Sequence, residues 1–223
     1  MATLHIYSKL LQFTLFQGLS KADLEQIVAH TKLGFHKYKK KDIIAKAQST
    51  NNNLFFLIDG TVKIITTSAE AVYTITETVS NPLLFEPQTL FGIKPNFIST
   101  YQAQTDCNVI VIGKAEITRM IDQFDIFRLN YINLLSAHIQ KQHPLQWHVA
   151  QTDTRQRIIQ FTMHRCRFQK GEKKINIKMA QLADQLGCHR LDISKALNQL
   201  QKDGLIHLYR GGYHILSIEK LQM

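Results

Sequence analysis

Between Met179 and Lys202 the sequence MAQLADQLGCHRLDISKALNQLQK sets polar side chains among regularly spaced apolar ones. Leu182 and Leu186 line one face of a first short helix, and Ala183 is small enough for a second helix to cross it closely. Gly187 falls where the connecting turn needs a backbone that glycine adopts cheaply. Cys188, Ile193, Ala196, Leu197 and Leu200 complete a small core. With Ile193 pointing inward and about 100° per residue, Leu191, Lys195, Asn198 and Lys202 point outward. Arg190 flanks the start of that helix, within reach of the same face. Arginine and lysine donate to guanine O6 and N7, and asparagine pairs with adenine, so this face carries the chemistry for reading base edges. His189 and Ser194 are candidates for phosphate or base contacts. A helix so furnished, crossing a shorter one, is shaped to enter a DNA major groove.

Flanking segments must hold this pair of helices. After it, Leu205–Leu208 and Tyr213–Leu216 flank Tyr209-Arg210-Gly211-Gly212. Two glycines between apolar runs predict a hairpin, a wing with Arg210 at its tip as a further cation for DNA. Before it, residues 153–168 read as helix, with Ile158, Ile159, Phe161, Thr162 and Met163 as apolar contacts. Gln169–Lys174 reads as a polar turn and Ile175–Lys178 as a short strand.

Upstream the pattern differs. Residues 10–33 look helical, with a break at Leu15–Ser20, Ser20 as a cap and Asp23 in the first turn beyond it. From Gly34 to Ile112, short runs rich in Ile, Val, Phe and Thr recur: Asp42–Ala45, Leu54–Ile58, Val62–Thr66, Val72–Thr78, Tyr101–Ala103 and Val109–Ile112. Turn residues such as Asn51-Asn52-Asn53 and Asp59-Gly60 separate them, which predicts a compact antiparallel roll or barrel. Lys114–Asp122 is a short helix, and a long one starts near Phe124. On the long helix Leu129, Ile132, Leu135 and Ile139 form one stripe; Phe127, Tyr131, Leu134 and His138 form a second. One stripe suffices to dock a helix on its own domain. Two suggest a second subunit, with Phe127, Tyr131, Ile132, Leu135 and Ile139 as the dimer contacts, unless both stripes pack internally. Pro144 should end or kink the helix, placing a boundary near Leu145–Asp153. The expected division is 1–122, a sensor roll; 123–150, a dimerisation helix and hinge; and 151–223, the winged helix-turn-helix.

Charge agrees with an anionic partner. The 223 residues carry a formal net charge of +10, spread unevenly. Residues 1–150 hold 14 Lys/Arg against 11 Asp/Glu; residues 151–223 hold 13 against 6. The basic excess thus gathers around the helix-turn-helix, as a phosphate-binding footprint would. Three widely spaced cysteines, Cys107, Cys166 and Cys188, without a Cys-x-x-Cys pair, argue against a disulfide framework, a zinc ribbon or an iron–sulfur cluster. His138, His143 and His148 recur every fifth residue and so do not share a helix face, which argues against metal or haem. Cys166 of His164-x-Cys166 is expected to pack inside its helix. No apolar run is long enough to span a membrane and no signal-peptide pattern opens the chain, so a cytoplasmic protein is the default expectation. No nucleophile–base–acid set, glycine-rich phosphate loop or metal motif points to an enzyme. A non-enzymatic interaction or scaffold protein that uses its winged domain to bind protein is the alternative to DNA binding; the basic outer face separates the two.

In this order and length, a helix, a β-roll, a long helix and a winged helix-turn-helix resemble the CRP/FNR family of bacterial transcription regulators. Leu15-Phe16-x-Gly18-Leu19-Ser20 resembles the family's opening, Leu57-Ile58-Asp59-Gly60-Thr61-Val62-Lys63 its roll hairpin, and Gly187-Cys188-His189-Arg190 with Ile193-Ser194-Lys195 its recognition helix. The resemblance implies an α+β fold with an N-terminal antiparallel cyclic-nucleotide-binding-like roll (a double-stranded β-helix). It also implies a homodimer that binds double-stranded DNA at a (pseudo)palindromic site, with RNA polymerase as a partner. By resemblance, Arg190 and Lys195 hold the family's two basic DNA-reading positions. The family commonly has glutamate where this chain has Leu191, and leucine cannot accept from a cytosine amino group. In nucleotide-binding members a Gly-Glu turn and a downstream Arg-Ser hold ribose and cyclic phosphate. Anchored on Ala103–Val109, these positions fall on Phe85-Glu86 and Phe97-Ile98. The glycine and the arginine are both missing, so no cofactor of the usual cyclic AMP kind is expected. Phe85, Glu86, Leu90, Phe91, Phe97 and Ile98 are the effector-pocket candidates, and the apolar ones either line a pocket or fill it.

Overall fold

The computed structural model describes residues 2–142 and 153–222. The expected helix end at Pro144, His143, His148 and, but for Asp153, the boundary near Leu145–Asp153 lie outside them. In chain order the elements are α1 (Ala2–Leu10), a 3-10 turn (Thr14–Phe16), α2 (Lys21–His30), β1 (Leu33–Tyr38), β2 (Ile43–Ala45), β3 (Asn53–Asp59), β4 (Thr61–Thr67) and β5 (Tyr73–Ser80). Then come β6 (Leu83–Leu84), a 3-10 turn (Pro87–Thr89), β7 (Thr100–Ala103), β8 (Cys107–Gly113), α3 (Lys114–Gln123) and α4 (Asp125–Gln142). The last elements are α5 (Thr154–Arg165), β9 (Lys173–Ile177), α6 (Met179–Leu186), α7 (Arg190–Lys202), β10 (His207–Tyr209), β11 (Gly212–Ile215) and a 3-10 turn (Ile218–Gln222). Two compact units result: Met1–Val62 with Ser80–His143, and Lys63–Val79 with Pro144–Met223.

The first unit is the antiparallel roll with its helices. Its four-stranded sheet runs β1-β8-β3-β6, and β2 pairs with β7. The start of α2 agrees closely with the sequence. The Asp23 N–H donates to Ser20 Oγ (3.1 Å) and the Ser20 N–H donates back to Asp23 Oδ2 (3.0 Å), so two otherwise unpaired donors of the first turn are satisfied. The helical reading of 10–33 runs too far, since α2 stops at His30 and Leu33 already belongs to β1. At the Asp59-Gly60 turn a side chain is excluded twice over. The backbone has φ +102°, and a Cβ at Gly60 would stand 2.5 Å from the Asp106 carbonyl oxygen. The core is aromatic in its middle: Phe56 meets Phe13 edge-on (5.1 Å) and Phe16 tilted (5.6 Å), and Phe16 meets Phe127 (5.5 Å).

The second unit packs α5, α6 and α7 against a sheet in the order β10-β11-β9-β5-β4. Of the strand runs Val62–Thr66 and Val72–Thr78, read with the roll in the sequence, all but Val62 fall in this unit, within residues 63–79. β5 lies antiparallel to β9 from Tyr73↔Ile177 to Glu77↔Lys173, and Ile75 joins the unit's core. The Gln169–Lys174 segment is not all polar turn. Strand β9 begins at Lys173, whose side chain is fully buried; its Nζ lies 3.0 Å from Glu77 Oε1, which is also buried. Glu77 further accepts the N–H groups of Arg167 and Phe168, each at 3.1 Å. A buried ammonium is tolerable only with such a partner, and here it lies nearly a hundred residues away.

Candidate nucleic-acid interface

The helix-turn-helix is built by α6 and α7. Gly187 closes α6 in the left-handed region (φ +60°), and a Cβ there would meet nothing within 4 Å, so it is the backbone and not space that calls for glycine. The Cys188 N–H reaches back to the Ala183 carbonyl (3.0 Å), and the extended His189 then opens α7 as its N-cap. Ala183 and Leu182 are buried beside Ile193, Leu197 and Leu200, while Leu186, Cys188 and Ala196 are half-buried at the edge of the same core. Arg157 Nη1 holds the turn from α5 by donating to the Leu186 carbonyl (3.2 Å), with Cys188 Sγ 3.4 Å away.

The opposite face of α7 is solvent-exposed. His189, Arg190, Leu191, Lys195, Asn198 and Lys202 are all exposed, Leu191 by 74%, and Ser194 is half-buried. The inward and outward sets expected from helical spacing are thus the ones observed. Asn198 donates from Nδ2 to the Ser194 carbonyl (2.9 Å), which leaves its second N–H and its Oδ1 for another partner. The wing is β10 and β11, shifted by up to two residues from the expected runs, with Arg210 exposed at its turn. The Tyr209 hydroxyl lies 2.8 Å from both the Ile175 carbonyl and Asn176 Oδ1, tying the wing to β9. Two lysines escaped the sequence reading. Lys174, whose Nζ lies 4.8 Å from the Tyr209 ring centre, and Lys178, just before α6, are exposed on the same unit. The alternation Lys174-Ile175-Asn176-Ile177-Lys178 carried that signal.

In the roll, the effector candidates separate. Phe85, Glu86, Leu90 and Phe97 are buried; Phe91 and Ile98 are exposed. The Phe85 ring stacks on Tyr101 (4.0 Å) and on Phe55 (6.0 Å), and Phe97 meets both Phe55 (5.7 Å) and Tyr101 (6.3 Å) edge-on. Phe85 and Phe97 thus share the same two ring partners, Phe55 and Tyr101. Phe55 and Tyr101 were legible only as strand residues, because the loop that brings Phe85 and Phe97 to them has no periodic signal.

On α4 the two stripes have different surroundings. Phe127 and Tyr131 are buried in the first unit's own core, with the Tyr131 hydroxyl donating to the Pro87 carbonyl (2.7 Å). They do not stand on the helix's outer face. Leu134 and Leu135 are partly buried against that core, whereas Leu129, Ile132 and Ile139 are 51–56% exposed. Cys166 is buried at the end of α5, and burial pushes its thiol up to about 12, so it is no thiolate.

An exposed basic helix seated on a three-helix core, with a two-stranded wing, defines a winged helix-turn-helix DNA-binding domain. Residues 156–223 match the family described as Crp-like helix-turn-helix domain, and residues 35–124 match the Cyclic nucleotide-binding domain. The chain belongs to the CRP/FNR family of transcription regulators, a family of regulators and not of enzymes. Among solved structures it is similar to the Catabolite Activator Protein of Thermus thermophilus (16% identity, 94% of this chain and 97% of that one, TM-score 0.53). It is also similar to a putative crp/fnr-family regulator of Eubacterium rectale (22%, 95% and 97%, TM-score 0.51). A third likeness is to the sensor domain of the regulator DNR from Pseudomonas aeruginosa (19%, 66% and 98%, TM-score 0.55). At these identities the likeness is one of fold. No curated protein matches the sequence. Among the described residues, no helix is long and apolar enough to cross a membrane.

Proposed function

We propose that this chain is a homodimeric regulator that reads a (pseudo)palindromic DNA site through residues 189–202. The observation that carries this reading is the division of α7: Ile193, Leu197 and Leu200 are buried, while Arg190, Leu191, Lys195, Asn198 and Lys202 are exposed. Arg190 and Lys195 supply donors for guanine edges, Asn198 pairs with adenine, and His189, Ser194 and Arg210 hold phosphates or neighbouring bases. Leu191 contacts a thymine methyl or reads nothing, so the half-site differs from the usual family one at that base pair. Residues 1–122 sense, 123–150 dimerise and 151–223 read DNA, with the 63–79 hairpin packed into the reading unit. The dimer face is the exposed row Leu129, Ile132 and Ile139, flanked by Leu135. The signal at the roll is not a cyclic nucleotide bound in the usual mode, and at promoters the partner is RNA polymerase. Selection of bound duplexes from a random pool at several salt concentrations tests the reading. The expected outcome is an enriched inverted repeat with half-sites about one helical turn apart; a pool without enrichment refutes it.

A further inference from the structure

Glu86 is a fully buried carboxylate of the roll. Ile98 donates its N–H to Oε2 (2.6 Å); Ser99 donates its N–H to Oε1 (3.0 Å), as does the Tyr101 hydroxyl (3.2 Å). An ionised carboxylate only accepts, and here both of its oxygens meet donors. Glutamate reaches this place at a conformational cost, for its backbone is left-handed (φ +37°, ψ +57°), a region that non-glycine residues seldom occupy. The main chain there is anchored as well. The Glu86 carbonyl accepts from the Thr89 N–H (3.1 Å) and hydroxyl (3.0 Å), and Thr89 is held in turn by the Asn51 amide (2.9 Å). Phe85, next in sequence, stacks on Tyr101, whose hydroxyl is one of these donors.

We propose that Glu86 is the resident anion of the roll: its side chain fills a carboxylate-binding cradle formed by the Ile98 and Ser99 N–H groups and the Tyr101 hydroxyl. The inference rests on the reading of residues 1–122 as an effector domain and specifies what occupies it. The roll holds its anion within the chain and does not wait for a cyclic nucleotide.

The test uses the full chain and thermal unfolding, with no DNA present, so that its failure is distinct from a failure of the DNA-binding reading. Glu86→Ala removes four heavy atoms, the size of an acetate ion. The variant is expected to melt about 4–10 °C below the parent. Sodium acetate should restore part of this loss with saturation, and sodium chloride at equal ionic strength should not. Glu86→Gln should also melt lower, since one of its amide ends opposes a donor, but it fills the space and should not respond to acetate. Cyclic AMP should leave the parent's melting unchanged. A folded Glu86→Ala indifferent to acetate overturns the proposal, and so does a cyclic AMP shift in the parent that Glu86→Ala abolishes. Should Glu86→Ala fail to fold in either salt, Glu86→Gln decides: lower melting supports the cradle, and parental melting overturns it.

Discussion

Arg190 and Leu191 stand side by side and exposed at the start of α7, and the proposed function gives Arg190 a base edge to read. An arginine that reads a guanine edge loses discrimination when truncated, whereas one that touches only phosphate weakens all sequences alike. Arg190→Ala is therefore expected to cost about 1–3 kcal/mol on the selected site and much less on random duplex, measured by titration at fixed salt. Equal losses would reassign Arg190 to the phosphate backbone. A second single-residue effect concerns acid. Glu219 accepts from the Ser217 hydroxyl (2.7 Å) and the Gly171 N–H (3.0 Å), which hold its carboxyl down at about 2, from an ordinary 4.5. A depressed folded-state value contributes stability that is present above about pH 4.5 and lost as pH falls toward about 2. Glu219→Gln should remove that part of the pH dependence in denaturant titrations across the window, because the amide does not titrate while its Oε1 still accepts.

Between elements, the ladder of β5 on β9 sets the integrity of the reading unit. Strand β5 contributes Ile75 to the core, Tyr73 as an edge-on partner of Phe161 (5.5 Å), and Glu77 to the buried Lys173. Removing one member of a buried pair leaves the other charge without compensation, so Lys173→Met is expected to destabilise the second unit by about 3–5 kcal/mol in urea. Adding Glu77→Leu should recover only part of this, because the Arg167 and Phe168 N–H groups lose their acceptor. Full recovery in the double variant would mean that these two donors find other partners. Strand β1 is the contrasting case. Its LGFHKY run carries charge instead of alternation and pairs along one side with β8 through Leu33↔Ile112 to Tyr38↔Cys107. Charged residues on such a strand discourage pairing with other chains and also hide it from a hydrophobicity pattern.

For the molecule as a whole, assembly and charge decide how it meets DNA. The row Leu129, Ile132 and Ile139 recurs at three and seven residues along α4, the spacing of a helix seam. Ile132→Glu is expected to convert the dimer to monomer in sedimentation velocity and to weaken operator binding at least tenfold, while leaving helix content unchanged. An unaltered dimer would place the interface elsewhere. Sequence alone determined the features that local spacing controls: the two-helix reading head, the Ser20 cap, six of the strand runs and the inward face of α7. Each depends on residues within a turn or two of one another. By resemblance, the positions of the usual nucleotide-holding glycine and arginine fall on Phe85 and Phe97. Tertiary structure alone decided which α4 stripe is core, since Phe127 and Tyr131 are buried by the 3-10 segments at Thr14–Phe16 and Pro87–Thr89. It likewise gave Lys173 a buried partner and the 63–79 hairpin its place beside β9. The common reason is distance along the chain: hydrogen-bond ladders, ion pairs and ring stacks join residues whose separation leaves no periodic trace.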